Sequence, residues 1–191
     1  MFEVKVDEKR IKEAQILLGE AEKKIPKIIM FALNRATTMT RVYQGRLARQ
    51  GYNIPAKVIA GRTRVHKASA TGTLSLEAAI SNSRKRVALE NFKINLKKPD
   101  HYKRRITVSV VRGKATEVPG LFWGNYLKNT SKLGLYMRKG SARETLERAY
   151  GPSVYQMVTT QDLIAKEIRE YAQEKFTERF EHEFMRGLRM K

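Results

Sequence analysis

The chain's three histidines, His66, His101 and His182, stand far apart and share no motif. A helical zinc site needs two imidazoles about one turn apart, as in HExxH, so that both face one metal, and that spacing does not occur. His182 sits in a charged helical stretch, where a solvated side chain is the simpler account. With no cysteine there is no thiolate metal site, disulfide or cysteine nucleophile. A G-x-S-x-G elbow, a P-loop and a dinucleotide fingerprint are all missing. Glu144 and Glu147 are a carboxylate pair with acid–base spacing, but they alternate with arginines from Arg143 to Arg148, where mutual neutralisation explains them. A two-metal nuclease would need several clustered carboxylates. Residues 31–150 hold six acidic residues in all, scattered as Glu77, Glu90, Asp100, Glu117, Glu144 and Glu147. The pattern points away from an enzyme, and neither a metal nor a cofactor is expected.

The residues with functional potential are cations. They fall into four clusters: Arg62, Arg64 and Lys67; Arg84, Lys85 and Arg86; Lys97 and Lys98; Lys103, Arg104 and Arg105. Lysine and arginine neutralise phosphates and release counterions, so each cluster is a candidate contact for DNA or another polyanion. A single basic triplet often just faces water. Four with so little acidic compensation carry more weight, and their places beside expected strand ends suggest that they converge on one rim of a sheet. The sequence has no RNP aromatic motif, zinc finger or basic zipper, so the expected contact ignores base sequence.

A second candidate surface follows Val118-Pro119-Gly120. The run Leu121-Phe122-Trp123-Gly124-Asn125-Tyr126 contains the single tryptophan, in what reads as a glycine-flanked loop. Such a loop either plugs its own core or anchors a neighbouring subunit, since Trp and Tyr dominate interface hot spots. Leu121, Phe122, Trp123 and Tyr126 are the candidate interface residues.

These residues need elements to position them. At 191 residues and 41% hydrophobic content the chain suits one domain with a real core. The most apolar run, Ile25 to Leu33, is too short for the roughly 20 residues of a bilayer span, and no targeting segment is visible, so a soluble protein without membrane contact is expected. Helical periodicity marks Asp7–Lys24, then a helix from Pro26 to about Gln50 with Ile29, Leu33, Ala36, Thr40, Tyr43 and Leu47 on one side. Pro55 opens a short turn of helix, Ala56–Ala60. Partial alternation appears at 73–81 and 89–96, with a register change near Asn91, and clean alternation from Ile106 to Val110. Six glycines between 113 and 151 indicate loops and short strands. Helical spacing returns from Ser153 to Arg189, opening on Val154, Met157 and Val158 and continuing through Leu163, Ile168, Tyr171, Phe176 and Phe180. The expected fold is α+β: N-terminal helices (1–60), a basic part with a small antiparallel sheet (61–151) and a long C-terminal helix (152–191).

Charge follows the same division. The net charge is +20, yet residues 1–30 contribute +1, residues 151–191 contribute zero, and residues 31–150 contribute +19. Charge that dense repels itself, so an anionic neighbour is expected beside the middle segment.

An ordered set of residues resembles the prophage minor tail protein Z family, the tail completion proteins of lambda-like tails. Asn34-Arg35-Ala36 looks like the family's early helix with its Asn-Arg step. Arg62, Arg64 and Ala68, followed by Ala79, Ile80, Arg86, Leu89 and Phe92, are similar to its basic strand region. Val118-Pro119-Gly120-Leu121-Phe122 looks like its Ile/Val-Pro-Gly-x-Phe step, and Arg138, Gly140, Gly151-Pro152-Ser153-Val154 and Met157 precede an amphipathic C-terminal helix. The middle lacks the long arginine run that some relatives carry. The resemblance implies a non-enzymatic virion protein at the head-proximal end of the tail, assembled from the host cytoplasm and enabling head–tail joining. Implied partners are the tail terminator, tube and connector, with a homo-oligomeric ring, a hexamer being one such closed form. The rival expectation is a sequence-independent nucleic-acid-binding protein outside any virion.

Overall fold

A computed structural model describes residues 2–3, 24–69, 76–95, 105–124, 133–138, 146–160 and 162–189. The helix expected at Asp7–Lys24 lies outside the described residues, apart from Lys24. The chain divides into two compact units, each discontinuous in sequence: Met1–Gly45, Thr63–Asn82 and Val158–Lys191 form the first, and Arg46–Arg62 with Ser83–Met157 the second.

Helix α1, Ile25–Gly51, begins where Pro26 is tolerated in the first turn and runs without a glycine until Gly45. Its buried stripe, Ile25, Ile28, Ile29, Ala32, Leu33 and Ala36, follows three- and four-residue steps. In the first unit this stripe packs with Ala68, Ala78, Phe176 and Phe180. Burying each phenylalanine contributes roughly 1.5–3 kcal/mol. Phe176 and Phe180 lie on α4, Asp162–Arg189, which shares the C-terminal region with a separate short helix, α3, Val154–Thr159. The C-terminal region is therefore two helices separated at Thr160, not one continuous rod. Ile168 and Ala172 are buried as their spacing predicts, whereas Leu163 is 82% exposed.

The first unit's sheet has the order β1-β3-β2, from Phe2–Glu3, Thr63–His66 (β2) and Ala79–Asn82 (β3). Register pairs Val65 with Ile80 and Thr63 with Asn82. Polar side chains tie α1 to these strands. The Asn34 carboxamide donates to Ala68 O at 3.1 Å and accepts from Ala68 N–H at 2.8 Å, completing a two-point bond to the strand's exit. Gln44, fully buried where the helical pattern placed Tyr43, donates to Asn82 Oδ1 at 2.8 Å, and Thr63 Oγ1 donates to the same oxygen at 2.9 Å. Thr37 and Thr40 are buried and donate to the carbonyls of Leu33 and Ala36 one turn back. Half-buried Tyr43 stacks on Tyr171 with centroids 3.9 Å apart, and its hydroxyl donates to Glu167.

The second unit holds the remaining small sheets, all antiparallel: β5-β6-β7 (Lys93–Ile94, Thr107–Ser109, Thr116–Glu117), β8-β9-β10 (Phe122–Gly124, Gly134–Arg138, Leu146–Arg148) and the pair β4 and β11 (Arg86–Ala88, Tyr150–Ser153). The α+β class holds, with several small sheets in place of one. The short helix expected after Pro55 is α2, Ala56–Gly61. Ile106 and Val108 face inward as their alternation requires. The irregularity near Asn91 is a 3-10 turn, Leu89–Asn91, separating β4 from β5.

Two stability predictions follow from the first unit. Asn34→Ala leaves the Ala68 N–H and C=O without their partner, so chemical denaturation should show a loss of about 1–3 kcal/mol. The hydrogen bond to Glu167 raises the Tyr43 pKa above its ordinary 10.0, by favouring the protonated phenol. Its stabilisation is thus complete below pH 10 and is lost as pH rises through the raised folded value. Tyr43→Phe should flatten that alkaline loss in a stability titration.

Candidate polyanion-binding surface

Dividing the charge by unit sharpens the sequence picture. The second unit carries 21 basic and 5 acidic residues, net +16, and the first carries 18 and 14, net +4. Two of the second unit's carboxylates are held by arginines: Glu90 by Arg148 and Glu117 by Arg105, the latter at 3.4 Å. The Glu90–Arg148 hydrogen bond raises the Arg148 pKa further, so the guanidinium stays charged. Glu147, of the carboxylate pair weighed for acid–base work, is exposed on β10, and Glu144 lies outside the described residues. Among the described residues no three His, Cys, Asp or Glu side chains gather as metal ligands would. No helix among them is long and apolar enough to cross a membrane.

Of the candidate cations, Lys97, Lys98, Lys103 and Arg104 lie outside the described residues. The others do not gather on one rim. Arg64 and Lys67 are exposed on and just after β2 in the first unit; Arg64 shares a strand face with His66, whose Nε2 lies 2.9 Å from Ser81 Oγ. Arg105 is spent on an exposed ion pair, worth little in water. Arg62, Arg84, Lys85 and Arg86 do come together, in the second unit.

Their assembly follows from backbone geometry. Arg62 caps the C-terminus of α2, its N–H bonded to Ile59 O at 3.0 Å. Its carbonyl accepts from Ser83 N–H at 2.9 Å, which brings the start of the 83–86 segment alongside. The Arg62 side chain then reaches the same segment, Nη1 donating to Lys85 O at 3.1 Å and to Arg86 O at 3.4 Å. Arg86 is held from the other side. Strand β11 pairs Tyr150 with Ala88 and Ser153 with Arg86, so one extra residue bulges between them, and Pro152 has no N–H to give the ladder. The guanidinium of Arg86 spans the carbonyls exposed there, Nη2 to Tyr150 O at 3.1 Å and Nε to Gly151 O at 3.4 Å. Arg84 lies over the Tyr155 ring, 4.8 Å from its centroid, and Tyr155 N–H donates to Ser83 O. The sequence showed the cations but not these anchors. The signal it offered was Gly151-Pro152 inside a strand.

Within the aromatic run, Phe122–Gly124 is a strand (β8) and not a loop. Val118-Pro119-Gly120-Leu121 forms a turn closed by Leu121 N–H to Val118 O at 3.3 Å, with Gly120 at φ +74°, the type II pattern of proline then glycine. The turn sends Leu121 into the interior and delivers Phe122 and Trp123, both half-buried, onto β8 beside Tyr136 and Leu135. Arg138 lies 5.9 Å from the Phe122 centroid. Tyr126 is outside the described residues.

No protein-family model matches the chain, and comparisons with curated proteins and with solved structures find no match.

Gly151 lies within the bulge that holds Arg86. A Cβ there would lie 2.8 Å from the buried Phe92 ring. Gly151→Ala should lower stability by roughly 1–3 kcal/mol through overpacking. Phe92→Leu in the same chain should recover part of the loss in thermal melts.

Proposed function

We propose that the protein is a non-enzymatic structural component of a phage tail, completing its head-proximal end so that a filled head can join. The observation that carries this reading is the segregation of charge. One unit bears +16 while the other is close to balance, a division that suits a part whose basic unit meets DNA or an acidic ring and whose other unit packs against neighbours. The ordered likeness to the minor tail protein Z family, from Asn34-Arg35-Ala36 to Met157, supports the same role. On this reading the partners are terminator, tube and connector proteins, and a closed homo-oligomeric ring satisfies a head-to-tail interface without open ends. The place of action is the virion tail, reached from the host cytoplasm.

The anchored arginines favour a second reading, a sequence-independent nucleic-acid-binding protein outside any virion, because their geometry needs no tail partner. Deleting the gene from its phage separates the two. The tail role predicts tails that do not accept filled heads, rescue by the purified protein, and several copies per tail in wild-type particles. Normal head joining without the protein, or its absence from purified tails, would defeat it.

A further inference from the structure

We infer that Arg62, Arg84, Lys85 and Arg86 form one preset site for the sugar–phosphate backbone of a nucleic acid, bound without regard to base sequence. The inference rests on the polyanion-facing part of the proposed function and commits it to one ligand and four residues.

The first support is that these cations have no counter-charge among the described residues. Among the described residues the side chains of Arg62 and Arg86 bond only to carbonyls, and Arg84 lies over a tyrosine ring. A carbonyl orients a guanidinium without cancelling its charge. The second support is unused donor capacity. Arg62 spends Nη1 and Arg86 spends Nε and Nη2, so each keeps N–H groups on the remaining edges for a phosphate oxygen. Third, the arginines are already held in place. Ordering a long side chain on binding costs about 0.5–1.5 kcal/mol, and here folding has met much of that cost.

The surface also speaks for nucleic acid over an acidic protein. A protein interface centres on an apolar patch depleted in charge. Here Arg84, Lys85 and Arg86 are exposed in succession, and the exposed large hydrophobic side chain beside them is Tyr150, 40% exposed, whose carbonyl Arg86 grips. Cations interleaved with tyrosine rings suit a backbone with bases or sugars at its side.

The test is fluorescence anisotropy with a random-sequence duplex of about 30 base pairs, titrated from roughly 50 to 200 mM salt. The double variant Arg84→Ala with Lys85→Ala leaves the carbonyl-bonded arginines in place. It should bind about tenfold more weakly, with a salt slope shallower by about 1.8, or 0.9 per lost phosphate contact. Arg84→Lys keeps the charge and loses the planar stack, and should still weaken binding about threefold. Melting temperatures close to the parent exclude a folding defect. The control is Arg112→Ala with Lys114→Ala, exposed cations on the turn that follows β6. An equal loss in the control, or no duplex binding at low salt, overturns the site. So does polyglutamate that binds as tightly as the duplex and is lost with the same substitutions, since an acidic protein is then the ligand. Presence of the parent protein in tails is scored separately. Its absence from tails, with duplex binding weakened in the double variant as expected, counts against the tail reading alone.

Discussion

Crowding of like charge is the constraint on which the second unit is built. Two cations about 7 Å apart repel by about 0.6 kcal/mol in water and by roughly four times that at the effective dielectric of a protein surface. With 21 cations to 5 carboxylates, ion pairing can relieve only a small part of this. The fold uses neutral partners instead. The carbonyls of Lys85 and Arg86 and those at the β11 bulge, and the faces of Tyr155 and Phe122, give guanidinium groups places to sit. The irregular points of the backbone are thereby satisfied by the side chains that make the surface basic. This explains why arginine, with its planar fork, holds the anchored positions while Lys85 stands outward between them.

The first unit has a different economy. Its charges nearly balance, and its interior combines aliphatic and phenylalanine packing with the hydrogen-bonded side chains of Thr37, Thr40 and Gln44. Carboxylates on α4 meet lysines and arginines of their own helix, as Glu178 does with Lys175, which lowers the Glu178 pKa. Such exposed pairs add little stability.

Periodicity made the helices legible. Ile29, Leu33 and Ala36 on α1, and Ile168, Phe176 and Phe180 on α4, are buried where three- and four-residue spacing put them. The alternation of Ile106 and Val108 was equally readable. Sequence spacing could not foresee that the carbonyls exposed beside Pro152 would recruit Arg86, because that depends on which strand pairs with which. Nor could it separate Gln44 from Tyr43. Both lie near the apolar stripe, and it was Asn82, 38 residues away, that let a carboxamide go inside. The glycines that flank Trp123 suggest a loop, yet the Pro119-Gly120 turn launches a strand. The cations were visible as types, but their grouping was not. Arg64 and Arg62 are two residues apart and belong to different units.

The hydrogen-bonded triad of buried Gln44 and Thr63 with half-buried Asn82 has a consequence for how β2 and β3 align. Strands pair with a two-residue repeat, so a slip of one position would turn Ile80 outward. It would also put a serine hydroxyl where Gln44 now meets a carboxamide, leaving a dry amide short of partners. Aliphatic residues in all three places would tolerate neighbouring alignments almost equally. The polar group acts as a key, admitting a single pairing of the hairpin against the helix.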